Sequence, residues 1–73
     1  MIELNKKEVG LRLKEFGIDR FGTISELALK LEMDYQSFHS TYIQGRSLPG
    51  AKILSKLMQM GCNIDWLLHG KKN

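Results

Sequence analysis

Cysteine and proline are each present only once in this sequence, and acidic residues are fewer than basic ones. One thiol closes no internal disulfide, and Cys62 has no Cys or His at metal-ligand spacing, so a disulfide scaffold and a zinc module are both excluded. No apolar run is longer than a few residues, far short of a membrane span. Met1-Ile2-Glu3-Leu4-Asn5 lacks the basic-then-apolar layout of a signal peptide, and the expectation is a cytoplasmic protein. No stretch alternates with period two over a strand's length, and no Asn-Gly or Asp-Gly turn occurs, which argues against hairpins. Paired carboxylates, a nucleophile–base set and a phosphate loop are all missing, so nothing favours an enzyme, a cofactor or a metal.

What remains is a helical code. At 73 residues the chain has room for one domain, with 42% hydrophobic and 26% charged residues and a formal net charge of +3. That charge permits a polyanionic partner without requiring one. The apolar spacing predicts five helices. The first runs from about Lys6 to Phe16, with Asn5 as cap, Glu8 reaching back to it, Val9, Leu13 and Phe16 facing inward, and Gly17 as stop. Thr23-Ile24-Ser25-Glu26 is a capping box that opens a second helix, whose Leu27, Ala28 and Leu31 face inward.

After a break near Glu32-Met33, Asp34 caps a third helix that carries Phe38 and Tyr42 on one face and stops at Gly45. A loop over Gly45-Arg46-Ser47-Leu48-Pro49-Gly50 follows. Ile53, Leu54, Leu57 and Met58 give the fourth helix a broad apolar stripe ending at Gly61. Asn63 caps the fifth, Ile64 to His69, which Gly70 closes.

The segment Thr23–Leu31, a short turn, and Asp34–Ile43 resembles the helix-turn-helix of phage-repressor-type regulators, the lambda-repressor-like or XRE-like family. Ala28 stands where that family has a small residue between the two helices, and Phe38, ten positions on, stands where an apolar residue anchors the recognition helix. Val9-Gly10-Leu11-Arg12-Leu13-Lys14-Glu15 resembles the family's first helix. Asn63-Ile64-Asp65-Trp66-Leu67-Leu68-His69-Gly70 is similar to its closing helix. The resemblance implies an all-α, five-helix DNA-binding domain over residues 1–73, with the helix-turn-helix at about 23–44.

Three departures stand out. Glu32 occupies a turn position where a left-handed backbone is wanted and glycine is usual, at a cost of about 1 kcal/mol. Ile24 replaces the family's phosphate-holding glutamine, so that contact is either lost or moved to Ser25. The stretch from Met33 to Gly45 is one residue longer than in the commonest members, a spacing closer to CI-type phage repressors.

By that register the recognition helix enters the major groove of double-stranded operator DNA, with Tyr35, Gln36 and Ser40 against the bases and Ser37 and His39 flanking. Gln36 matches adenine in a bidentate contact, worth roughly 1–3 kcal/mol of discrimination. Tyr35 reaches a thymine methyl or a phosphate. The helix has no Arg or Lys for guanine, so half-sites read mainly through A·T pairs are expected. Thr23 and Ser25, with Gln44, Arg46, Ser47 and Lys52, are the phosphate contacts. Family members bind palindromic sites as dimers.

The fifth helix, through Leu67, Leu68 and Met60, is the expected dimer face. Asn73 falls where a linker to a C-terminal oligomerisation domain begins in a CI-type repressor, so an N-terminal domain or a compact Cro-like protein is expected. Trp66 and the set Met33, Met58 and Met60 read as core, Cys62 as a small hydrophobe, and His39 and His69 as solvated positions. Lys6-Lys7 and Lys71-Lys72 read as solvated ends. The competing reading is a protein-interaction module on the same fold, which an acidic or apolar recognition face would betray.

Overall fold

The computed structural model describes residues 4–70, and the Lys71-Lys72 end read from the sequence lies outside them. The described residues form five helices: α1 (Lys6–Phe21), α2 (Ile24–Lys30), α3 (Tyr35–Phe38), α4 (Ala51–Gln59) and α5 (Ile64–His69). A π-helical turn over His39–Ile43 continues α3 without a break. None of these helices is long and apolar enough to cross a membrane. The architecture is all-α.

Each start signal in the sequence works locally. Asn5 Oδ1 accepts the Lys7 and Glu8 amides at 3.0 and 3.1 Å, Thr23 Oγ1 the Glu26 amide at 3.1 Å, Asp34 Oδ2 the Ser37 amide at 3.1 Å, and Asn63 Oδ1 the Trp66 amide at 3.1 Å. The expected return bond of Glu8 is not made. Its carboxylate turns one helical turn on and meets Arg12 Nη1 at 3.5 Å. Glu26 makes no return bond to Thr23 either.

The first helix is longer than the sequence predicts. It runs past Gly17 to Phe21, and Gly22 ends it in a left-handed conformation (φ 91°) with its amide on the Ile18 carbonyl. Gly17 is a packing residue. It is buried, and a Cβ there would lie 2.9 Å from Leu27 Cδ2. Its missing side chain lets α2 close onto α1, a reason invisible to a stop-signal reading. Gly10 serves the same helix more strictly, because a Cβ there would lie 2.5 and 2.6 Å from the Ile43 and Tyr42 carbonyl oxygens. Backbone thus meets backbone where α1 crosses the end of the π turn.

Val9, Leu13, Leu27, Ala28, Leu31, Phe38, Ile43, Leu57, Cys62 and Leu67 make the buried core. Val9, Leu13, Leu27, Ala28, Leu31 and Phe38 are inward as the spacing predicts, while Phe16 and Tyr42 are half-buried against this core. One expectation fails. Met58 is 62% exposed, because α4 is narrower in its contact than the apolar stripe implies. Trp66 is half-buried, packing its ring against the core from the rim.

Helix α2 ends in a Schellman motif, with the Met33 amide on the Ala28 carbonyl (2.9 Å) and the Glu32 amide on the Leu29 carbonyl (3.0 Å). Glu32 takes the left-handed position (φ 59°), the only non-glycine among the described residues to do so. Lys56 of α4 supports the corner by donating to the Leu31 carbonyl at 3.3 Å and to Glu32 Oε1 at 3.2 Å. Two arginines of α1 do the same for the later helices. Arg12 donates to the Leu67 and Leu68 carbonyls (2.8 and 3.2 Å) at the end of α5, and Arg20 donates to the Met60 carbonyl at the end of α4. All three cations sit where a helix leaves its last carbonyls unpaired and its dipole negative.

Candidate nucleic-acid interface

Thr23 and Ser25 lie exposed in the first turn of α2. The Ala28 corner then turns the chain so that α3 projects Tyr35, Gln36 and Ser37 outward while Phe38 is driven fully into the core. Phe38 and Tyr42 stack at 6.1 Å between ring centroids on the inward side. That anchoring fixes what faces out.

His39 and Ser40 are half-buried, not solvated, because they lie in the π turn. The Gln44 amide reaches back five residues to the His39 carbonyl (3.0 Å), and the Arg46 amide five to Thr41 (3.0 Å). An α-helix that carries one residue more than its two anchored ends allow opens a turn from i+4 to i+5 in this way. Ile43 is thereby delivered to the core five residues after Phe38. Ser40 and His39 lie half-buried at the start of this turn. Ser40 Oγ donates to the Ser37 carbonyl at 3.5 Å.

Tyr35 and His39, one turn apart, form a tilted ring pair at 5.7 Å with an interplanar angle of 37°. The first turn of α3 therefore presents an aromatic surface beside the Gln36 amide. It also presents the exposed Asp34 carboxylate. With Ser37 already bonded to Asp34 Oδ2, this helix N-terminus is closed by its own anion.

Arg46 and Ser47 are exposed, and both their amides bond the Thr41 carbonyl at 3.0 Å, which holds the pair at the end of the π turn. Gln44 is exposed beside them. The N-terminus of α1 is brought to the same place: a Cβ on Gly45 would lie 2.7 Å from Lys7 Cα. Lys7 is exposed, as read from the sequence, and its backbone packs against Gly45, the residue before Arg46. No local signal announces a contact between residues so far apart in sequence. Lys52, in contrast, lines a shallow cavity of about 220 Å³ with Leu31, Glu32 and Met33, beside the α2 corner. Arg12, Arg20 and Lys56 are engaged on helix ends and are not part of this surface.

The expected dimer face is corrected in one residue. Leu67 is fully buried, leaving Leu68 and Met60 half-buried at the rim. Cys62 is buried, and desolvation pushes its thiol up from the ordinary value while nearby Arg20 opposes, so it is a neutral packing group. Among the described residues no group of three or more His, Cys, Asp or Glu is placed to hold a metal ion.

The fold and surface define an all-helical protein with one polar, partly aromatic face flanked by cations. Comparison with protein-family models, curated proteins and solved structures finds no match to this chain.

Proposed function

We propose that this chain is a helix-turn-helix DNA-binding domain of the lambda-repressor-like type, a cytoplasmic transcriptional regulator acting as a phage or prophage repressor on palindromic operator DNA. The observation that carries the reading is the corner between α2 and α3. Ala28 is buried in it, Glu32 takes the left-handed turn, Phe38 anchors the second helix from below, and the opposite side leaves Tyr35, Gln36 and Ser37 outward. A helix held in that way is set to enter a major groove with its N-terminal turn first. Gln36 reads adenine. Arg46, Ser47 and Gln44 hold a phosphate at one end, with Lys7 added to them, and Thr23 and Ser25 hold one at the other.

Recognition of a palindrome requires two copies, so the working species is a homodimer or higher oligomer, formed by this domain or by a C-terminal domain beyond it. No cofactor or catalytic step enters this reading. The test is a salt titration on random duplex DNA. Wild type should show a linear fall of log affinity with log salt, and Arg46→Ala should flatten the slope by about one phosphate contact. Gln36→Ala should leave that non-specific binding unchanged and weaken only a selected operator. Absence of binding at low salt, persisting in a forced dimer, overturns the proposal.

A second reading is a protein-interaction module on the same fold. It is favoured by the Asp34 carboxylate at the tip, the exposed Tyr35 ring and the lack of any Lys or Arg from Tyr35 to Ile43. Arg46 with Lys7 behind that tip weighs for DNA.

A further inference from the structure

The Tyr35–His39 ring pair lies outside the hydrophobic core. Tyr35 is 44% exposed and His39 half-buried, and the rings lie 5.7 Å apart on the outward side of α3, opposite the inward pair Phe38 and Tyr42. An aromatic side chain left in water at the first position of a helix forgoes apolar burial that a partner can supply. The site's chemistry narrows the partner. No Lys or Arg stands on α3 or its π turn, and the helix N-terminus is closed by Asp34 Oδ2 on the Ser37 amide. A phosphate approaching Tyr35 therefore meets a carboxylate and finds no charge to pair with. A small neutral apolar group meets two ring surfaces instead.

In the major groove one base carries such a group, the 5-methyl of thymine. Building on the DNA-binding reading above, we infer that Tyr35 and His39 together form the receptor for the 5-methyl group of a pyrimidine, next to the adenine read by Gln36. The backbone accounts for both rings. Tyr35 is placed by the Asp34 cap, and His39, four residues on and bonded through its amide to the Tyr35 carbonyl, falls on the same helix face, so the two rings lie side by side as one exposed aromatic surface. Tyr35 is thereby a base-reading residue and not a phosphate ligand, and His39 shares the methyl with it.

The experiment uses an operator selected from random duplexes with the wild-type chain, then the same operator with each thymine replaced in turn by uracil. Uracil deletes the methyl and keeps every hydrogen-bonding group. At one position per half-site uracil should weaken binding about four-fold, the value of one buried methyl-sized group. In Tyr35→Ala and in His39→Ala that thymine preference should vanish, and in Tyr35→Phe it should persist. Both alanine variants alter outward residues, and a wild-type far-ultraviolet circular dichroism spectrum confirms that they are folded. Thymine and uracil bound equally at every position overturn the inference while the salt-dependent binding still supports the DNA reading. A uracil effect unchanged in both alanine variants assigns the methyl to another residue and also overturns it. No binding to any duplex overturns both together.

Discussion

Glu32 holds a left-handed backbone (φ 59°) that costs a residue with a Cβ more than it costs glycine, and its compensation comes from another helix. Lys56 reaches across to the Leu31 carbonyl and the Glu32 carboxylate, but Glu32 is 81% exposed, so the ion pair is screened and weak. Strain therefore outweighs the pair. Glu32→Gly is expected to stabilise the fold by about 0.5–1 kcal/mol, read as a higher urea midpoint with an unchanged m-value. A lower midpoint would mean that the Lys56 contact dominates. The need for a left-handed turn was legible at this position. The lysine that supports it was not, because a cation's partner across the fold leaves no mark in local spacing.

At the scale of elements, the caps at Asn5, Thr23, Asp34 and Asn63 were legible because a cap needs only a side-chain oxygen and the amides two or three residues on. The π turn was not legible, because nothing in the local pattern separates a turn bonded over five residues from one bonded over four. Apolar residues at both ends, Phe38 and Ile43, are fixed by the core, and the chain between them must absorb the surplus. Removing Ser40 is expected to turn the π turn into α-helix with Phe38 and Ile43 still inward. Thermal unfolding should stay cooperative and within about 1 kcal/mol of wild type, whereas a drop of several would show that the wide turn itself is required. Gly17 was misread for a related reason. Glycine signals a helix end by its freedom, yet here it is mid-helix for its lack of a side chain against Leu27.

Across the whole molecule, α1 ties the later helices to the earlier ones. Arg12 holds the end of α5 through Leu67 and Leu68, and Arg20 the end of α4 through Met60. The Arg12 side chain is only 18% exposed, so its fork is well sheltered and lysine cannot reproduce it. Arg12→Lys is expected to cost about 1–2 kcal/mol, and Trp66 fluorescence should then change at lower denaturant than far-ultraviolet circular dichroism. Coincident transitions in this variant would show that the core alone holds α5. The same use of charge decides which cations face a partner: three serve the fold, and Arg46 with Lys7 stands at the candidate interface.

The sequence by itself determined the all-helical class, the starts of the helices and most of the inward residues. Each of these rests on forces acting within a turn or two: capping hydrogen bonds, backbone propensity and the 3.6-residue period of burial. Only the tertiary structure decided that α1 runs on to Phe21, that Lys7 packs against Gly45, and that Arg12, Arg20 and Lys56 are spent on helix ends. Those outcomes depend on which helix faces approach, and the approach is set by close packing between residues distant in sequence.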